Sequence, residues 1–257
     1  MCMLFGLCSR EETLTNEYLK AFFKNSPQHP DGWGLADISR SGTVVEKESI
    51  EASKSHYLKE RLSSPIASGL MIAHIRYATI GNVEYRNCHP FTGKDNLGRR
   101  WTLAHNGTIF DYPPLASYLG VQLGDTDSER IFLYLRDSIS TAQKAKGGKL
   151  TFDERFALID GIVSDMARGN KLNLLLSDGR NLYVHTNCRD TLSYLEKDGA
   201  VIIATAPLTG ENWKPVPFTS LVAFRDGRLV RTGAAHGNEY IENPEHLKDL
   251  YRIFADL

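Results

Sequence analysis

Cysteine is scarce: four in 257 residues, Cys2, Cys8, Cys88 and Cys188, with no CxxC pair among them. So few thiols in so long a chain do not make a disulfide framework, and reduced cysteines in a cytoplasmic protein are the expectation. Long apolar runs are also lacking. Nothing approaches the roughly 20 residues of a membrane-spanning helix. The apolar opening Cys2–Leu7 is short, has no basic segment before it, and runs straight into Ser9-Arg10-Glu11-Glu12, so no signal peptide is expected. There is no basic block and no acidic tail, and the net charge is −1. That balance argues against nucleic acid and membrane partners and favours a small metabolite. Repeats, low-complexity tracts and a clear interdomain linker are absent, so residues 1–257 read as a single domain.

What is present is a globular mixture, 42% hydrophobic and 24% charged. Apolar runs predict strands at Cys2–Leu7, Trp33–Asp37, Thr43–Lys47, Gly69–Thr79 and Trp101–His105, the second and third paired across Ser41-Gly42. Asn106-Gly107 reads as a turn closing the last of these. Further strands are expected at Lys171–Leu176, Asn181–His185, Ala200–Thr205, Thr219–Arg225 and Arg228–Thr232. Helical spacing marks Thr13–Lys24 and Ser53–Leu62, and Pro113–Leu119 suits a short helix. Two capping boxes, Thr126 with Glu129 and Thr151 with Glu154, open two longer helices, and a final helix is expected over Pro244–Ala255. Residues 81–100 lack periodicity and read as an exposed loop or lid. Strands and helices in separate blocks predict layered sheets with helices outside.

Several clusters carry chemistry. If Met1 is removed, Cys2 holds a thiol and a free α-amine on one carbon. The thiol, with a pKa of about 8.5, needs a base, and an α-amine of pKa roughly 7.7–8.0 is the nearest available. A buried strand cysteine is the plainer alternative. Arg76 ends an apolar strand, where its guanidinium needs a carboxylate, either a substrate's or one from an internal salt bridge. The Asn106 amide and the Gly107 N–H offer two donors for an oxyanion, although Asn-Gly is also a common turn pair. Asp127 falls in the first turn of a helix, where the dipole favours a carboxylate; it could also hold an ammonium group. His74, His89 and His105 match no metal-binding spacing, and no metal or cofactor is expected.

Taken together and in order, these blocks resemble one family, the class II glutamine amidotransferases of the N-terminal nucleophile hydrolases. The matching segments are Met1-Cys2 with Leu4-Phe5-Gly6, Pro30–Gly34, Ala73–Thr79, Asn87–Phe91, Ala104–Gly107, Asp125–Glu129 and Ala204–Leu208. The chain looks most like members that carry the amidotransferase domain alone. The resemblance implies an α+β fold, a four-layer αββα sandwich, with the mature chain starting at Cys2. It implies Cys2 as nucleophile, its amine as base, and Asn106 and Gly107 as oxyanion hole. It also implies Arg76, helped by Thr79, on the glutamine carboxylate and Asp127 on its ammonium. Tyr77 stands where many members have Trp, and Asp31-Gly32 replaces a common Arg-Gly pair. Three functions remain open: glutamine hydrolysis supplying ammonia to a separate synthase subunit, free-standing hydrolysis of another γ-glutamyl amide, and non-catalytic binding of glutamine-like ligands.

Overall fold

A computed structural model describes residues 2–39 and 42–243. Two antiparallel sheets face each other. In spatial order the first runs β11 (Lys214–Pro215), β9 (Ser193–Lys197), β10 (Ala200–Ala204), β1 (Met3–Leu14), β4 (Ala67–Ile75), β2 (Trp33–Ile38) and β3 (Thr43–Glu48). The second runs β13 (Arg228–Thr232), β12 (Val222–Arg225), β8 (Leu182–His185), β7 (Lys171–Ser177), β6 (Arg100–Thr108) and β5 (Phe91–Lys94). Four α-helices among the described residues cover the outer faces: α1 (Asn16–Phe23), α2 (His56–Ser63), α3 (Asp127–Lys146) and α4 (Phe152–Met166).

The strand period of two explains the layering. In β1 the residues Met3, Phe5 and Leu7 pack outward with Leu19, Phe22 and Leu58 of the first helical layer. Leu4 and Cys8 point the other way, into a cluster shared with Ala104, Leu175, Leu182 and Val222 of the opposite sheet. The outer face of that second sheet, with Leu103, Leu172 and Leu174, packs on Ile131, Leu135 and Ile139 of α3 and on Phe156, Ile159 and Val163 of α4. The three apolar clusters therefore separate four layers, αββα. Each fully buried Leu, Ile or Phe in them contributes roughly 1.5–3 kcal/mol.

Local signals set most boundaries. Thr151 and Glu154 form the expected reciprocal capping box of α4. At α3 only half of the box forms: the Thr126 hydroxyl accepts from Glu129 N, but the Glu129 carboxylate takes the amides of Leu123 and Gly124 instead. Gly147, at φ +74°, ends α3. The Asp226-Gly227 turn joins β12 to β13 with both residues at positive φ, as its sequence required.

Some expectations need correction. β1 extends to Leu14, so α1 starts only at Asn16, and Thr15 spends its hydroxyl on the Ile66 carbonyl. Asn106-Gly107 is not a turn: β6 continues through both to Thr108, paired with β7 from Ser177 to Lys171. Residues 81–100 are not one exposed loop. Residues 87–91 are buried, and Phe91–Lys94 forms edge strand β5. Strands β9 and β11 were not anticipated. Ser41 and the helix expected over Pro244–Ala255 lie outside the described residues. Among the described residues no helix is long and apolar enough to cross a membrane.

Candidate active site

The two sheets bring Cys2 and Asn106 together by strand parity. Cys2 has the parity of Leu4 and Cys8, and Asn106 that of Ala104, so both turn toward the space between the sheets. They line one cavity of about 40 Å³ with Tyr77, Thr79 and Gly107. That is room for only a few water molecules.

The partly exposed Cys2 thiol is cupped by one residue. Tyr77 N donates to Sγ at 3.3 Å, and the thiol donates to the Tyr77 carbonyl at 3.3 Å. Burial pushes the thiol pKa up, the Tyr77 backbone hydrogen bond and the Arg76 charge pull it down, and Asp127 pushes it up. The net shift is upward, so the thiol is not self-activated at neutral pH and an attack through sulfur needs a base. Asp31, to which the sequence assigned no role, holds this cup in place. Its carboxylate accepts from Ala78 N at 2.8 Å, while Arg76 N donates to the Gly32 carbonyl at 2.7 Å. Gly32 lies at φ +135°, and a Cβ there would come within 2.6 Å of Cys88 Sγ.

On the other wall, Asn106 is 2% exposed, yet its side-chain amide makes no hydrogen bond with the described residues. A buried amide left free beside a cavity is costly unless something enters to bind it. Gly107 is required by close approach, since a Cβ would lie 1.9 Å from the Lys171 carbonyl oxygen.

Arg76 is 2% exposed and has no carboxylate partner among the described residues. Its guanidinium donates to the carbonyls of Asn82 at 2.9 Å, Gly81 at 3.0 Å and Ile80 at 3.2 Å. The internal salt bridge weighed as the alternative is thus not found there. Asn82 is itself tied to Asp125 through its amide side chain at 3.0 Å. Asp127, the first residue of α3 and 4% exposed, accepts from Ile109 N at 2.9 Å and from Ser128 N at 2.8 Å, with no cationic side chain beside it among the described residues. Ser128 also bonds His105 Nδ1 at 3.0 Å. Burial lowers the His105 pKa, and Asp127 opposes that shift. Cys2, Thr79, Asn106 and Gly107 therefore share one cavity, and Arg76 and Asp127 are not among the residues that line it.

His74 and His89 stack with ring centroids 4.1 Å apart, and all four of their ring nitrogens are buried without a partner. Burial, the largest cause for each, lowers both pKa values, His74 to about 3. Among the described residues no group of three or more His, Cys, Asp or Glu side chains could hold a metal ion. Sequence reasoning missed Lys171, Tyr240 and Glu242, which complete the cavity wall. No local motif marks them.

Two facing antiparallel sheets clad in helices make an αββα sandwich, and the Cys2 thiol sits just before the first residue of its central strand β1. The chain belongs to the class II glutamine amidotransferases, whose family model matches residues 1–198. It is 30% identical over 214 residues to the Escherichia coli protein named "Putative glutamine amidotransferase YafJ", covering 73% of this chain and 82% of that one. The crystal structure of a predicted glutamine amidotransferase from Pseudomonas aeruginosa superposes with a TM-score of 0.65 at 23% identity, over 90% of this chain and all of that one. Glutamine phosphoribosylpyrophosphate amidotransferase from B. subtilis superposes at 0.63 with 18% identity, over 90% of this chain but 48% of that longer one. At these identities the two structures speak for the fold alone.

Proposed function

We propose that the protein hydrolyses γ-glutamyl amides through Cys2, with glutamine as the reference donor. Removal of Met1 exposes the Cys2 amine, which takes the thiol proton directly or through one water. Sulfur attacks the side-chain amide carbon, and the new oxyanion is held by the Asn106 amide and the Gly107 N–H. The C–N bond breaks, the amine leaves with the proton returned by the Cys2 amine, and a γ-glutamyl thioester remains. Water adds to the thioester, its proton passes to the sulfur, and glutamate is released. Arg76 and Thr79 bind the substrate α-carboxylate, once the guanidinium exchanges the loop carbonyls of residues 80–82 for it, and Asp127 binds the α-ammonium. Fixing both ends of the glutamyl group supplies the positioning part of the rate.

The observation that carries this reading is the unpartnered Asn106 amide facing the same cavity as Cys2 Sγ. A purely ligand-binding role is disfavoured, because it has no use for a thiol set opposite a free oxyanion donor. The direct test is glutamate release from glutamine by the wild type and by Cys2→Ala. Loss of all turnover with retained folding is expected; undiminished turnover rejects Cys2 as nucleophile. Ammonia freed from glutamine would serve a separate synthase subunit. The alternative, hydrolysis of a larger amide, has a specific observation in its favour: charged and aromatic groups on the far wall of the cavity.

A further inference from the structure

Lys171 opens β7 with its side chain only 6% exposed, and its ammonium pairs with Glu242, whose side chain is 50% exposed. Glu242 lies on the stretch that follows β13. That stretch is moored at Tyr240, whose N–H donates to the Asn187 carbonyl at 2.7 Å. The Tyr240 ring stacks on Phe110 with centroids 5.8 Å apart and an interplanar angle of 12°. All four side chains line the cavity that holds Cys2 and Asn106.

Arg76 and Asp127 do not line it. On the reading proposed above, which this inference rests on, those two hold the α-end of the glutamyl group together with Thr79 from the cavity wall. With the α-end taken by Arg76, Asp127 and Thr79, a ligand portion that reaches Lys171 and Tyr240 from Cys2 is then the amine that departs. From this placement we infer that the cavity is a leaving-group subsite, in which Lys171 binds a carboxylate carried by the leaving amine and Glu242 is the internal carboxylate it displaces. The substrates are γ-glutamyl amides of amino acids or short peptides.

Charge and burial both favour this. A nearly buried ammonium needs an anion beside it, and removing that anion without a replacement is expensive. A half-exposed glutamate can turn into water at little cost, so exchanging one carboxylate for another leaves the buried charge paired throughout. The volume that Glu242 vacates adds to the small cavity, and the Phe110–Tyr240 pair offers an apolar wall to the carbon skeleton of the amine. Ammonia, the leaving group of glutamine, has nothing to place against any of these groups.

The test uses the full-length enzyme and three donors with the same γ-glutamyl group: glutamine, γ-glutamyl methylamide and γ-glutamylglycine. Glutamate release should show kcat/KM for γ-glutamylglycine above that for the methylamide by about tenfold or more, the scale of one charge-assisted hydrogen bond. Lys171→Met should bring that ratio close to about one, mainly through KM, and Lys171→Arg should restore part of it. Glu242→Gln, at a half-exposed position that tolerates change, should lower KM for γ-glutamylglycine without lowering it for the methylamide, and it keeps the test decisive if Lys171→Met does not fold. Equal kcat/KM for the two amides in the wild type overturns the subsite while leaving the role of Cys2 intact. A ratio unmoved by these substitutions does the same, and reduces the Lys171–Glu242 pair to a structural tie. Failure of all three donors to release glutamate overturns the underlying reading and the subsite with it.

Discussion

Two buried polar clusters lie at opposite ends of the facing sheets, and they are built differently. In the β7–β8 hairpin, the fully buried Asp178 carboxylate is saturated. It accepts from Arg155 at 3.0 Å and 3.2 Å, from Asn181 N at 2.8 Å, from Arg180 N at 3.1 Å and from the Tyr183 hydroxyl at 3.1 Å. At the Cys2 end, the ring nitrogens of His74 and His89 are buried with no protein partner among the described residues, and Asn106, 2% exposed, turns an unpaired amide to the cavity. Both clusters cost desolvation; only the Asp178 cluster recovers it within the chain. A saturated network holds a fold together, whereas the Asn106 amide is left open to whatever enters the cavity beside the Cys2 thiol.

A paired substitution breaks or sharpens this contrast most strongly. Asp178→Ala leaves the Arg155 guanidinium buried and uncompensated, and should destabilise by about 3–5 kcal/mol in chemical denaturation. Asn106→Ala deletes an amide with no bond to lose. It should cost about 1 kcal/mol or less in stability, while lowering kcat by roughly 10²–10³ as an oxyanion donor does. If Asn106→Ala destabilises as much as Asp178→Ala, the two ends are not different in kind.

A smaller effect is expected from pH. Burial holds His74 and His185 neutral, each with a pKa lowered from 6.5 to about 3. Between those values the unfolded chain binds protons that the folded chain refuses, so stability is full above about 6.5 and falls as pH drops toward 3. The slope is at most about 1.4 kcal/mol per pH unit for each histidine. Hydrogen exchange at pH 5 against pH 7 should therefore show protection lost first near the β1–β4 pairing of Leu4 with His74 and near the pairing of Leu174 with His185 at the open end of the β7–β8 hairpin, ahead of the Asp178 turn at its closed end. Uniform loss across both sheets contradicts that assignment.

How much of this was legible in the sequence follows from the range of each interaction. The strands that carry Leu4, Ile72, Ala104 and Leu175 declare themselves through apolar runs, and the cap of α4 through Thr151 and Glu154, because those signals span a few residues. Edge strands do not: β11 is two residues, one of them Pro215, and β5 is four. The turn read at Asn106-Gly107 failed because β7 pairs with both residues, so tertiary pairing overrides a local preference. Cys2, Arg76, Asn106 and Asp127 were visible as ordered blocks. Lys171 and Glu242 were not, since they are 71 positions apart and meet only through the path of the chain after β13.

The central claim is that sulfur on Cys2, freed of Met1, carries the glutamyl group. The most direct measurement is mass spectrometry of the N-terminal peptide after acid quenching during turnover of a γ-glutamyl amide. The account predicts a peptide that begins at Cys2 and bears a γ-glutamyl group on sulfur, absent when substrate is omitted. A peptide that retains Met1 and stays unmodified, from enzyme that is releasing glutamate, would contradict it.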